Sequence, residues 1–191
     1  MKKIILASTS PRRRELLTQL RLDYTVAVSD ADENVPEDMT PEQTVLTLAR
    51  RKASVVAVDY PDCVVIGADT IVYLPDMKIK LGKPADRADA ARMLRMLSGR
   101  RHTVYTGIAV ISDGVTRDDV VCTDVIMKEM TDAEIEAYIR TGEPDDKAGA
   151  YGIQDIGGIF VERIEGEYFN VTGMPKSPLY KLLLQSGVNI I

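Results

Sequence analysis

"CVVIGADTIVYL", Cys63 to Leu74, is the strongest strand signal in the chain. Val64, Val65 and Ile66 form an unbroken apolar run, the pattern of a strand covered on both faces. Such a strand needs helices against it, and the flanking sequence supplies them. Upstream, "TPEQ" (Thr40–Gln43) is a capping box with proline at the first helical position, opening a helix that carries Val45, Leu48, Ala49, Lys52 and Val56. Downstream, Asp86–Gly99 is an amphipathic helix with Gly99 as its stop.

Further outward the alternation continues. "KIILAS" reads as a short buried strand running into a helix with Ser10 as cap, Pro11 at its first position and an apolar stripe of Leu16, Leu17 and Leu20. Tyr24–Ser29 alternates as a strand, and "DADENVPED" after it is an exposed loop. "HTVYTGIAVIS" and "DVVCTDVIM" are strands around the turn "DGVTR". Thr131 and Glu134 form a second capping box, on a helix that Gly142 ends. Gly157–Val171 reads as a hairpin turning near Glu165-Gly166, and "SPLYKLLLQSG" as a closing helix with Ser177 as cap and Pro178 first. This order predicts an α/β fold, a mixed sheet flanked by helices, in a single domain over residues 1–191.

Composition narrows the function. A net charge of −5 argues against a general nucleic-acid or membrane-surface binder, so a bound anion must meet a local basic cluster. The first apolar run is four residues long, short of a signal peptide, and nothing approaches a membrane span, so a cytoplasmic protein is expected. Cys63 and Cys122 lie far apart in apolar runs and read as buried small hydrophobes. With His102 as the only histidine, a Cys/His zinc site is disfavoured, and a bound metal would take carboxylates, water and substrate phosphates, which suits Mg²⁺ or Mn²⁺.

Four stretches are too polar for their positions. "STSPRRR" (Ser8–Arg14) crowds three arginines at a helix start, where the dipole prefers anions; it is either a phosphate site or a solvated first turn with Arg12 paired to Glu15. In "GADT", Asp69 interrupts an apolar strand; it should lie at an exposed strand end, pair with a cation or bind metal, unless it caps a turn or is satisfied by Thr70. "GKP" (Gly82–Pro84) either aims Lys83 at a phosphate or is an ordinary loop. "DKAGAYGIQ" (Asp146–Gln154) either lets a ligand approach its backbone, with Lys147 and Gln154 alongside, or is a tight connection into the next strand. Neither a P-loop nor a dinucleotide glycine motif is present.

These stretches, together with Glu33 in "DADEN", "LARRKA" around Lys52, "MLRMLSGRRHTVYTG" and "FNVTGMP", resemble in content and order the Maf family of nucleoside triphosphate pyrophosphatases, over essentially the whole chain. The resemblance implies an elongated mixed sheet like that of inosine triphosphate pyrophosphatases, with an active site in a central cleft. It also implies metal-dependent hydrolysis of a nucleoside triphosphate to the monophosphate and pyrophosphate, and a homodimer. "GADT" with "KAGAYGIQ" looks like the branch acting on dTTP and UTP. By that resemblance Asp69 is the proton acceptor, and Arg12, Thr70 and Gln154 stand at base-specificity positions. Ser8, Arg13, Lys52, Lys83 and Lys147 then line the phosphates, and Asp69 with Glu33 would hold the metal. Asp155 departs from the pattern, which usually has glycine after the glutamine. The alternatives are hydrolysis of 7-methyl-GTP and a non-catalytic, nucleotide-binding regulator of septum formation; no stable nucleic-acid partner is expected.

Overall fold

The Val64–Ile66 run opens an eleven-residue strand of a seven-stranded sheet in the computed structural model, which describes residues 2–191. In chain order the elements are β1 (Ile4–Leu6), α1 (Pro11–Gln19), β2 (Tyr24–Val26), α2 (Pro41–Ala57), β3 (Val64–Leu74), β4 (Ile79–Leu81), α3 (Arg87–Leu97), β5 (Arg101–Ser112), β6 (Val115–Met127), α4 (Asp132–Arg140), β7 (Val161–Glu165), α5 (Tyr168–Val171) and α6 (Lys176–Gln185). Short 3-10 turns occupy Glu143–Asp146, Ala148–Ala150 and Ile156–Phe160. The strand order is β2-β1-β3-β5-β6-β7, with β4 on β3. β1 runs parallel to β2 and β3, whereas β4 and β7 are antiparallel to their neighbours, so the sheet is mixed, as expected.

The chain forms two compact units. The first comprises the chain up to Asp69, Thr106–Val121 and Gly173–Ile191. Its core joins Ile5, Ala7, Val65 and Ala109 to Ala49 and Ala53 of α2. The Thr40–Gln43 capping box closes reciprocally and fixes where α2 begins. Two glycines let α2 lie directly on the strands. A Cβ on Gly67 would stand 2.4 Å from the Ala49 carbonyl oxygen, and one on Gly107 would stand 2.6 Å from the Val45 carbonyl. Side chains alternate along a strand, so Val65, Gly67 and Asp69 share the face that meets α2.

The second unit comprises Thr70–Tyr105 and Cys122–Thr172. Its core gathers Val72, Leu94, Leu97, Val104, Val125 and Ile135, with Tyr138 and Phe160 ring edge to ring face. The Thr131–Glu134 capping box starts α4 as the sequence predicts. His102 and Tyr151 are buried together, His102 Nε2 lying 2.8 Å from the Tyr151 hydroxyl.

Several local expectations give way. The second arm of the Gly157–Val171 hairpin is not a strand. After β7 and Gly166, at φ 136°, the chain makes one helical turn, and the buried Asn170 amide donates to the Val104 carbonyl and to Thr123 Oγ1. The last helix begins at Lys176 with Pro175 as cap, so Pro178 sits in the first turn, where no intrahelical N–H bond is lost. The turn between β5 and β6 is only Asp113-Gly114, at φ 53° and 73°, the positive angles that two-residue hairpins use. Cys122 is exposed and Cys63 half-buried; strand alternation sends the neighbouring Thr123 inward instead.

Candidate active site

Lys52, Glu33 and Arg13, three of the charged residues that the sequence singles out in the first unit, gather at Asp69. This carboxylate is not at a strand end. It lies within β3 and is 8% exposed. Burying it alone would be costly, and Lys52 of α2 answers it: Nζ lies 2.7 Å from Asp69 Oδ1 and 2.7 Å from Glu33 Oε1. The contact follows from the glycine packing. Gly67, two residues before Asp69 and on the same face, lets α2 close onto the strand, and Lys52 is one residue before the Ala53 that would meet a Gly67 Cβ.

Glu33 reaches the cluster from an irregular loop held by the neighbouring residue of the same helix. Arg51 Nη1 donates to the Asp32 carbonyl at 3.1 Å and to the Asn34 carbonyl at 2.6 Å, on either side of Glu33. Asp32 closes the turn from inside, accepting from the Asn34 backbone N–H at 3.0 Å.

Arg13 completes the group. Its Nε donates to the Gly173 carbonyl at 3.0 Å and its Nη1 to Ser8 Oγ at 3.3 Å. Ser8 Oγ also accepts from the Ser10 N–H at 3.2 Å. Ser10 occupies the cap position of α1 without a side-chain cap bond, and no acidic residue stands in that first turn. Burial pushes the Asp69 carboxyl above the usual carboxylate range, against the opposing pull of Lys52 and Arg13. Burial likewise lowers the Arg13 guanidinium, and the charge of Asp69 opposes that. Arg12 is half-buried and Arg14 exposed.

The remaining candidates lie in the second unit. Thr70 and Gln154 are half-buried and Lys83 is exposed. Lys147 is 7% exposed; its Nζ donates to the Glu143 carbonyl at 2.8 Å and lies 3.0 Å from Asp146 Oδ1 and 3.9 Å from Asp155 Oδ2. The Gly149 N–H donates to the Gly82 carbonyl at 3.0 Å, which ties the Lys83 loop to the Lys147 segment. Gly149 is at φ 70°, where a Cβ would stand 2.8 Å from Val72 Cγ2, so this small residue answers to core packing. Arg51, Glu143, Tyr138 and the Gly173 carbonyl escape the sequence reading; backbone partners and hydroxyl relays leave no spacing signature.

Among the described residues no group of three or more His, Cys, Asp or Glu could hold a metal ion. The protein oxygens that fit one are the two carboxylates sharing Lys52. These are hard oxygen donors, suited to Mg²⁺ or Mn²⁺ if water and phosphate oxygens complete the shell, and unsuited to a zinc site of Cys and His.

A model of the Maf-like protein family matches residues 3–186. A dTTP/UTP pyrophosphatase of Geobacillus sp. (strain WCH70) is 51% identical over 177 residues, covering 93% of this chain and 94% of its own. Another dTTP/UTP pyrophosphatase, from Desulforamulus reducens, is 49% identical over the whole of both chains. A third, from Moorella thermoacetica, is 49% identical over all of this chain and 98% of its own. Among solved structures, the Ham1 protein of Staphylococcus aureus aligns over 67% of this chain and 73% of its own, with 18% identity and a TM-score of 0.49. Matched by the family model from near its first residue to near its last, the chain belongs to the Maf-like protein family.

Proposed function

We propose that this protein is a nucleoside triphosphate pyrophosphatase that hydrolyses dTTP and UTP to the monophosphate and pyrophosphate. One observation carries the reaction class: a buried carboxylate, Asp69, shares one lysine with a second carboxylate and lies in the field of a half-buried arginine. The pyrimidine substrates rest on the names of the relatives.

Asp69 is the general base. Its raised proton affinity suits it to accept a proton from the attacking water. The water oxygen bonds to the α-phosphorus, the bond from that phosphorus to the bridging oxygen breaks, and pyrophosphate leaves with the electron pair. Arg13, fixed by Ser8 and the Gly173 carbonyl, donates to phosphate oxygens. Lys52 neutralises charge on the reacting group, and Lys83 and Lys147 charge on the rest of the triphosphate. Gln154 and Thr70 read the base. Asp69 and Glu33 would hold Mg²⁺ or Mn²⁺, which when bound polarises phosphoryl oxygens and acidifies water. No helix among the described residues is long and apolar enough to cross a membrane.

The test is pyrophosphate release from dTTP, UTP, CTP, GTP and 7-methyl-GTP with Mg²⁺ or Mn²⁺. Release from dTTP and UTP is expected, and Asp69→Asn should lower kcat by about 10²–10⁴-fold, the usual contribution of a general base, while nucleotide affinity changes little. A near-normal kcat in that variant removes the base assignment. Binding without release from any nucleotide removes the enzyme.

A further inference from the structure

We infer that Glu143 is a positioning residue for nucleotide recognition, holding at its two ends the segment that carries Lys147 and Gln154. The inference rests on the function proposed above, which places those two side chains against the substrate.

Glu143 uses both of its acceptor groups. Its backbone carbonyl accepts from Lys147 Nζ at 2.8 Å. Its carboxylate reaches the far end of the segment, where Oε2 accepts from the Ile156 N–H at 3.0 Å and Oε1 from the Gly157 N–H at 2.9 Å. Oε1 also accepts from the Tyr138 hydroxyl at 2.7 Å, and that hydroxyl in turn accepts from the Gly152 N–H at 3.2 Å. Gln154 therefore lies in a short turn, closed by the Asp155 N–H on the Gly152 carbonyl at 3.4 Å, whose flanks at Gly152, Ile156 and Gly157 all lead to one carboxylate.

This arrangement exceeds what chain closure needs. A tight turn can be completed by its own backbone, whereas here a carboxylate from outside the turn is committed to its amides. Hydrogen bonds to a charged acceptor are among the stronger ones. Tyr138 is 2% exposed, and burial, followed by its bond to Glu143, raises its hydroxyl pKa, so it remains a proton donor to the carboxylate. Gly157 is fitted to the relay, since a Cβ there would stand 2.4 Å from the Tyr138 oxygen. Lys147 is held by the backbone carbonyl of the same residue, which a side-chain substitution keeps, so loss of the carboxylate loosens the turn that carries the base-reading amide first and reaches Lys147 only through movement of that backbone. The carboxylate of Glu143 bonds Tyr138, Ile156 and Gly157, and the chemical step is assigned to Asp69, so that step should be spared.

The experiment compares Glu143→Gln and Glu143→Ala in the full chain, with Glu136→Gln, an exposed charge on α4, as control. In Glu143→Ala the KM for UTP should rise about tenfold or more with kcat held within roughly threefold, the split expected when binding interactions are lost. The preference for UTP over CTP should fall about fivefold or more, as a loosened base reader implies. Gln, which keeps one carbonyl oxygen, should fall between Glu and Ala. The amides of Gly152, Ile156 and Gly157 should exchange faster in both variants and not in the control. Faster exchange with unchanged KM and unchanged UTP-to-CTP preference would make Glu143 purely structural and overturn the inference, as would a fall confined to kcat. If the wild-type protein releases no pyrophosphate, the proposed function fails on its own. Affinity for a non-hydrolysable UTP analogue then decides Glu143, and equal affinity in wild type and Ala variant overturns it.

Discussion

Gly67→Ala tests whether the active cluster depends on how closely α2 lies on β3. The added methyl would stand 2.4 Å from the Ala49 carbonyl oxygen, 2.8 Å from the Ala53 nitrogen and 2.9 Å from the Ala53 Cβ, whereas ordinary contact begins at 3.4 Å. Two of these neighbours are backbone and cannot swing aside, so the helix itself must retreat by about an ångström. Overpacking of this kind costs about 1–3 kcal/mol, which for a chain of this size lowers Tm by roughly 2–12 °C. The retreat carries Lys52 with it and stretches its 2.7 Å bond to Asp69 out of hydrogen-bonding range. The lysine stem is flexible and recovers part of the reach, so kcat should fall by about tenfold, less than the loss expected from removing the base itself. Gly107→Ala is the internal control. It meets the same helix at Val45, seven residues from Lys52, with its Cβ 2.6 Å from the carbonyl there. It should cost comparable stability and spare kcat in the folded protein. Thermal melts and steady-state pyrophosphate release on both variants give the answer. An unchanged Tm in Gly67→Ala, or equal loss of kcat in the two variants, would refute the link between glycine packing and the ion pair.

Four further outcomes come from the same structure. Asp69 has a raised carboxyl pKa, so in the base role it is active only above the usual carboxylate range; the acid limb of kcat/KM should lie above the ordinary value of 3.8. For the same reason its charge costs stability as pH rises past that value, and Asp69→Asn should melt no lower than wild type near neutrality, with any gain vanishing in acid. His102 is pushed down from 6.5 to about 4 by burial, so its contribution to stability is complete above pH 6.5 and is lost as pH falls toward 4. A shift of that size corresponds to about 3 kcal/mol, and denaturant titrations of His102→Gln should show a flatter decline between those pH values. Arg51→Ala frees the backbone on both sides of Glu33, so the Mg²⁺ or Mn²⁺ concentration for half-maximal activity should rise several-fold. Both bonds come from one nitrogen, Nη1, so Arg51→Lys, whose ammonium can also donate to two carbonyls, should restore much of it; an unshifted metal dependence in Arg51→Ala would show that the loop is held otherwise.

What the sequence made legible was what local chemistry decides. Thr40 with Gln43 and Thr131 with Glu134 announce helices because the cap bonds close within four residues. Val64–Ile66 announces a covered strand because both faces are apolar. Asp69 stood out because a carboxylate in that run needs a partner, although its place inside the strand depends on Lys52, seventeen residues away. The misses are long-range. Asn170 sits in a segment that looks extended, yet the Val104 carbonyl and Thr123 hydroxyl hold it in a helical turn. β4, three residues after a turn, has too short a pattern to detect. Arg51 and Glu143 act on backbone groups far along the chain, and backbone groups are the same whatever the residue.

The three arginines after Pro11 now divide. Cations in the first turn of α1 oppose the helix dipole, and at Ser10 no side-chain cap or acidic residue relieves them. Arg13 is held by other partners. It spends two donors on Ser8 and the Gly173 carbonyl and lies within the electrostatic reach of Asp69 and Glu33. Arg13 and Lys52 are matched in number by Asp69 and Glu33, and Arg12 adds a further positive charge that acts on Arg13. Charge-removing variants therefore act on Asp69 as well as on the substrate. Arg13→Ala leaves Asp69 less compensated and should raise its proton affinity further, moving the acid limb of the pH–rate profile upward as well as weakening substrate binding. Arg13→Lys keeps the charge but cannot serve Ser8 and Gly173 from one planar group, so it should leave the acid limb in place and weaken binding alone. If both variants moved the limb equally, the coupling between Arg13 and Asp69 would not be electrostatic.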